Sequence, residues 1–508
     1  MDIHHQIKKL LDYAVKSGLI KNEDRNWAAN AVIAKLKLSF FNPPKTKLSE
    51  TLPKYPDKIL SEISLWAVEN KIIGKLSVER ELLETDIIGI FTQRPSDFIA
   101  SFHEIEKKKG IKQATDWMYE KEQQACYVKT ENVKRNIVWK TKTKYGFLDL
   151  TINLSKPEKT LKEIEAVKAL GAKALFSKDY PKCVLCPENE GYAGRIDYPA
   201  RQNARLIPLT LNKEEWYMQY SPYVYYNEHC IILSKNHSDM KINEKTFVRF
   251  ADFLERFPHY FIGSNADLPI VGGSILNHDH YQGGRFEFPL HRAKIDRYFK
   301  LKGFPKAEFS ILKWPMSVIR IKGNRKDVLD AVGVIFDKWK NYSDKNVEIK
   351  AYDKTVSHNT ITPLARMVKD KIQFDLVLRN NAISEDFPNG IFHSKPLYHH
   401  IKHENIGLIE ALGMAILPGR LKTAMKKAGD YLLCGDINRI KSDKETVRHY
   451  EWALELSQKY KINSANIEEI LKKEIGMIFE QSLECCGVFK KDLQGTEAFD
   501  RFIEELNK

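Results

Sequence analysis

At 508 residues the chain is too long for one compact core, and its 43% hydrophobic and 11% aromatic content excludes general disorder. No uncharged apolar run reaches the roughly eighteen residues of a membrane span. The net charge of +14 is spread over scattered lysines, with only short runs such as Lys107-Lys108-Lys109. That pattern predicts a solvated surface suited to phosphorylated substrates, not a nucleic-acid stripe.

Met1-Asp2-Ile3-His4-His5 lacks the basic-then-apolar signature of a secretory signal, so a cytoplasmic location is expected. Seven cysteines in this length do not form a disulfide framework. Only Cys183 and Cys186 have a metal-like spacing. Cys126, Cys230, Cys434, Cys485 and Cys486 read as structural or incidental thiols.

In chain order, roughly the first 120 residues read as helical. Asn22-Glu23-Asp24 opens one helix, with Ala28, Val32 and Leu36 at helical spacing. Pro43-Pro44 and Pro53 interrupt, and further helices are predicted over 56–69, 78–85 and 95–108. From Tyr127 the pattern turns to strands over 147–154, stopped by Ser155-Lys156-Pro157, then 216–226 and 230–233. Residues 246–257 form an amphipathic helix with Phe247, Phe250, Ala251 and Leu254 on one face. This order predicts an α+β fold around an antiparallel sheet. Later come strands over 309–321 and 374–379 and helices over 327–342, 445–460 and 467–485. A helix over 405–424, broken near Pro418-Gly419, is also predicted. The expected division is a helical region 1–125, a catalytic domain 126–300 and an α+β domain 301–508.

The chemistry concentrates in Gly272-Gly273-Ser274-Ile275-Leu276-Asn277-His278-Asp279-His280-Tyr281-Gln282. If 276–282 is extended, His278, His280 and Gln282 share one face, while Asp279 and Tyr281 point the other way. Glycines let the backbone approach a ligand, and Ser274 with N–H groups near Gly273 could hold phosphate oxygens. A neutral imidazole can attack phosphorus when one ring nitrogen is free and the other is held. Cys183-Val184-Leu185-Cys186 offers two thiolates to zinc, and His237 and His278 are candidates for the remaining ligands. His393, His399, His400 and His403 raise a second metal hypothesis. Pro396 precedes the last three and Glu404 is the one evident carboxylate, so a substrate-binding or surface role is at least as good a reading.

The His-x-His-x-Gln run after Gly-Gly-Ser resembles the active-site pattern of galactose-1-phosphate uridylyltransferases, a branch of the histidine-triad superfamily. Asp279 and Tyr281, with 148–159 and 402–421, resemble that family's second class. The resemblance implies histidine-triad-like antiparallel sheet domains, the C-terminal one a degenerate repeat. It implies that His280 becomes uridylylated, Gln282 donates its amide to a phosphoryl oxygen, and Ser274 contacts the phosphoryl group. Cys183, Cys186, His237 and His278 fall on the family's structural zinc positions. Asn265 matches a nucleotide-side asparagine, with Gly273 beside the phosphates. Arg201, Asn203 and Arg205 are expected to contact the nucleotide, since guanidinium groups suit a diphosphate. The implied substrates are UDP-glucose, UDP-galactose and hexose 1-phosphates in galactose catabolism, with no organic cofactor, no nucleic acid and no membrane; a homodimer is left open. The hexose pocket is not assigned: Glu410, Leu412, Met414 and Ala415 replace the better-known class's sugar contacts. The rival enzyme is a dinucleoside-polyphosphate phosphorylase or hydrolase. The rival of another class is a zinc-stabilised nucleic-acid-binding protein, which leaves the 274–282 run unexplained.

Overall fold

The hairpin Ile137–Thr143 (β1) and Gly146–Ile152 (β2) pairs in parallel with Met414–Leu417, so 136–154 fold with the C-terminal half. This is a computed structural model, and it describes residues 2–44, 51–155, 164–165, 169, 180–273 and 275–508. Ser274 and the Lys156-Pro157 stop lie outside them. The chain forms two units, 1–135 with 155–238, and 136–154 with 239–508. Sheet pairing distant in sequence places the 136–154 hairpin in the second unit.

The first unit is helical and then β. Helix Ile3–Lys16 is capped by the Asp2 side chain, which accepts from the His4 N–H. Its Ile7, Leu10, Leu11 and Ala14 pack with Ala28, Val32 and Leu36 and with Ile59, Leu60 and Ile63 of helix Asp57–Glu69. The Ala28–Leu36 spacing thus marks a true core face, on helix Arg25–Lys35. Helices Ser77–Gly89 and Pro95–Lys109 follow as expected. Helices Ile3–Lys16 and Ile111–Gln124 fall in the stretch read as helical, where they were not delimited individually. Lys121 donates its Nζ to the carbonyls of Ser17 (2.8 Å) and Gly18 (3.1 Å), tying Ile111–Gln124 to the end of the first helix. Strands Ile207–Leu211 (β3), Glu214–Tyr220 (β4) and Cys230–Ser234 (β5) form an antiparallel meander.

The second unit contributes Phe261–Gly263 (β6), His280–Gly284 (β7), Ile295–Phe299 (β8), Glu308–Leu312 (β9) and Val318–Gly323 (β10). A two-residue pair, Tyr352–Asp353 (β11) and Val356–Ser357 (β12), precedes Asn359–Val368 (β13) and Lys371–Asn380 (β14). The order β7-β6-β13-β14-β10-β9-β8 is antiparallel throughout. Helices Glu244–Arg256 and Arg325–Asn341 pack on it, so the fold is α+β with flanking helices. Glu244–Arg256 buries Phe247, Phe250, Phe253 and Leu254, each worth about 1.5–3 kcal/mol.

Residues 405–424 depart from the predicted helix. They form a helical turn Leu408–Ala411, strand Met414–Leu417 (β15) and helix Arg420–Leu433. Gly413, at φ +95°, makes the break. A Cβ there would stand 2.7 Å from the Trp314 ring and 2.8 Å from Pro289, so the position has no room for a side chain. Among the described residues, no helix is long and apolar enough to cross a membrane.

Candidate active site

β7 starts at His280; residues 277–278 bend instead of extending the strand, so the run 276–282 is not one strand. Within β7, His280 and Gln282 share a face by alternation, and Tyr281 takes the other. That other face meets helix Glu244–Arg256. Arg249 donates an Nη1 hydrogen bond to the Tyr281 hydroxyl at 2.8 Å, and the same nitrogen lies 3.3 Å from Asp279 Oδ2. Phe250 packs edge-on against Tyr281, with centroids 5.0 Å apart. The two residues that flank His280 are thereby clamped from behind.

The clamp fixes the ring that matters. His280 Nδ1 lies 2.8 Å from the carbonyl oxygen of His278. A carbonyl only accepts, so Nδ1 carries the hydrogen and Nε2 keeps its lone pair. Burial lowers the His280 pKa to about 4, against the opposing pull of that hydrogen bond. The imidazole is neutral at physiological pH, with one nitrogen held and the other basic.

A close-packed loop leads into this strand. Gly263 of β6 pairs with Gln282, and a Cβ at Gly263 would come within 3.0 Å of Leu408. Beyond it, Asn265 Oδ1 accepts the Leu408 N–H at 2.8 Å. A Cβ on Gly273 would lie 2.6 Å from Asn265 Nδ2; one on Gly272 would lie 2.6 Å from the carbonyls of Ala266 and Leu268. Both glycines are required by this approach. Asp267 braces the loop, accepting from the Thr360 hydroxyl (2.6 Å) and the Ile242 N–H (2.9 Å). Asn265 and Gly273 are brought together.

In the first unit, Cys183 and Cys186 hold their sulfurs 3.6 Å apart, and His237 Nδ1 is 3.2 Å from Cys186 Sγ. A tetrahedral zinc, with Zn–S about 2.3 Å and Zn–N about 2.0 Å, sets its donors roughly 3.5–3.8 Å apart. Asn189 donates to the Cys183 and Cys186 carbonyls, each at 2.8 Å, and shapes the turn between the thiols. His278, in the second unit, is fully buried. Within the first unit, Cys183, Cys186 and His237 lie close enough to share a metal ion.

The galactose-1-phosphate uridyl transferase N-terminal domain family matches residues 49–239, and the corresponding C-terminal domain family matches 252–454. The chain belongs to the galactose-1-phosphate uridylyltransferase family. It is 47% identical to the Fusobacterium nucleatum galactose-1-phosphate uridylyltransferase, over 100% of this chain and 99% of that protein. Against the Bacillus subtilis protein of the same name it is 43% identical, over 100% of this chain and 98% of that one. Among solved structures, yeast Ap4A phosphorylase Apa2 aligns over 66% of this chain and 90% of its own. At 12% identity and a TM-score of 0.33 that likeness is too slight to inform activity.

Other residues expected at the site in this family member are engaged elsewhere. Asn203 donates to the Ala125 carbonyl at 2.8 Å. Arg205 directs Nε to the Gln93 carbonyl (2.5 Å) and Nη1 to those of Gln202 (3.0 Å) and Ala204 (2.5 Å). Both are buried, and their polar atoms anchor the helical region, which departs from the expected nucleotide contact. Arg201 donates Nη1 to the Ala200 carbonyl and is partly exposed. His393 Nε2 meets Asn405, and His399 Nε2 meets the Ser394 carbonyl. His400 and His449 face each other, Nδ1 to Nδ1, at 2.9 Å. Arg249 was missed. Its signal was a cation set between Thr246, Phe250 and Phe253 on the apolar arc of an amphipathic helix, which requires a buried partner.

Proposed function

We propose that this chain carries UMP from UDP-glucose to galactose 1-phosphate through a covalent uridylyl group on His280, in galactose catabolism. The observation that carries the reading is the hydrogen bond from His280 Nδ1 to the His278 carbonyl, which leaves Nε2 as a neutral nucleophile. Nε2 attacks the α-phosphorus, a P–N bond forms, and the P–O bond to glucose 1-phosphate breaks. Galactose 1-phosphate then attacks the same phosphorus through a phosphate oxygen. The P–N bond breaks, giving UDP-galactose and free His280. Both leaving groups are stabilised, so neither step requires a strong general acid.

Gln282, on the His280 face, donates its amide to a nonbridging oxygen of the intermediate. Gly273 and Asn265 stand on the phosphate side, Ser274 is assigned the phosphoryl contact that the family pattern implies, and Arg201 is kept as a nucleotide contact. Cys183, Cys186, His237 and His278 would hold a structural zinc ion, two thiolates and two imidazoles being a donor set suited to a closed tetrahedral site. The ion supplies a fixed anchor and takes no part in bond making. The relatives' shared name and full-length coverage support the transferase reading over the dinucleoside-polyphosphate alternative.

The test uses UDP-glucose labelled in the uridylyl group, with no acceptor. Acid-labile label on His280, discharged by galactose 1-phosphate, is the expected result. Label on another residue, or none, would overturn the assignment.

A further inference from the structure

Two residues outside the His-x-His-x-Gln run form a buried ion pair that leads to the phosphate loop. Lys402 and Glu410 are 3% and 9% exposed, and Lys402 Nζ lies 3.0 Å from Glu410 Oε1. Glu404 Oε2 lies 3.5 Å away on the partly open side. The other oxygen of Glu410 accepts the Gly407 N–H at 3.2 Å, which fixes the entry to the turn Leu408–Ala411. The next N–H, of Leu408, is taken by Asn265 Oδ1, and Asn265 Nδ2 abuts Gly273. A Cβ on Gly407 would lie 2.9 Å from Asn265 Oδ1, so the contact needs glycine there as well. Leu408 also covers Gly263, the β6 partner of Gln282.

We infer that the Lys402–Glu410 pair is a positioning device for phosphoryl transfer: through Gly407, Leu408 and Asn265 it fixes the Gly272-Gly273 segment and the backbone beside Gln282. The inference rests on the uridylyl-transfer reading above. Stability alone does not account for the pair, since desolvating two charges costs as much as their attraction returns, and apolar replacements are often as stable. Geometry does account for it. A charged clamp that satisfies one backbone N–H holds the turn in one register, and misplacing a phosphate-binding group by about 1 Å costs on the order of 10²-fold in rate.

The test measures single-turnover uridylylation from UDP-glucose, UDP-glucose affinity and Tm for Glu410→Gln, Asn265→Ala, their combination, and Lys402→Met/Glu410→Gln. Glu410→Gln is expected to slow transfer about 10- to 100-fold with affinity changed less than about threefold. In the Asn265→Ala background the same substitution should have no further effect. The Lys402→Met/Glu410→Gln variant, which leaves no unpaired buried charge, should regain Tm without regaining rate. Rates that recover with Tm, or losses that multiply independently, overturn the inference. If wild type forms no uridylyl-enzyme, the functional reading itself fails; if wild type reacts and the variants match it, only the positioning role does.

Discussion

At the scale of single residues, the proposed mechanism turns on one histidine held in place. His280→Asn is expected to lose about four orders of magnitude or more in uridylyl transfer while Tm stays within a few degrees, as stopped assays and thermal melting would show. Tyr281→Phe tests the clamp from behind. It removes the acceptor of a charged donor at a buried position and is expected to cost about 1.5–3 kcal/mol in urea unfolding. A Tyr281→Phe protein as stable as wild type would mean that Asp279 alone satisfies Arg249. The proposed nucleophile and the candidate metal ligands were singled out in the sequence, because their residue types and spacing are rare for packing. The held tautomer was not, since the acceptor is a backbone carbonyl brought into place by a bend at 277–278. The carbonyl partners of Asn203 and Arg205 were not legible for a related reason. A guanidinium can serve a diphosphate or several carbonyls, and sequence does not say which is near.

Elements were readable where one periodicity ran long enough. Glu244–Arg256 and Arg325–Asn341 were recovered within a few residues because their apolar arcs are unambiguous. The 405–424 stretch failed because Leu408–Leu417 is a short apolar run that fits helix or buried strand equally; its parallel pairing with β2 is set far away in sequence. The same region supports a pH prediction. Burial lowers His400 to about 4, and burial with His400, Arg448 and Arg420 nearby lowers His449 to about 3. Both folded values lie below the ordinary 6.5, so the unfolded state takes up protons first as pH falls. The contribution is complete above about pH 6.5 and is lost as pH drops toward 4. Urea unfolding at pH 7.5 and 5 should show wild type losing about 1–2 kcal/mol more than His400→Gln, the pair being partly solvated and coupled. Equal acid sensitivity in the two proteins would remove these histidines from the account.

At the scale of the whole molecule, the proposed zinc is the feature most open to direct measurement. Elemental analysis should find about one zinc per chain, and Cys183→Ser or Cys186→Ser should abolish it and lower Tm by about 5 °C or more. A zinc-free wild type of unchanged stability would refute the structural role. By itself, the sequence determined the α+β class and the family, and it singled out the residue proposed as nucleophile. Each rests on local patterns, namely periodicity, glycine placement and the spacing of reactive side chains. The tertiary structure alone decided which half owns the 136–154 hairpin, which ring nitrogen of His280 is free, and that Lys402 and Glu410 converge on Asn265. The first and last depend on pairings between residues about 140 to 270 positions apart, where chain connectivity carries no information and only packing chooses the partner, and the second on a local bend at 277–278 that no periodicity announces.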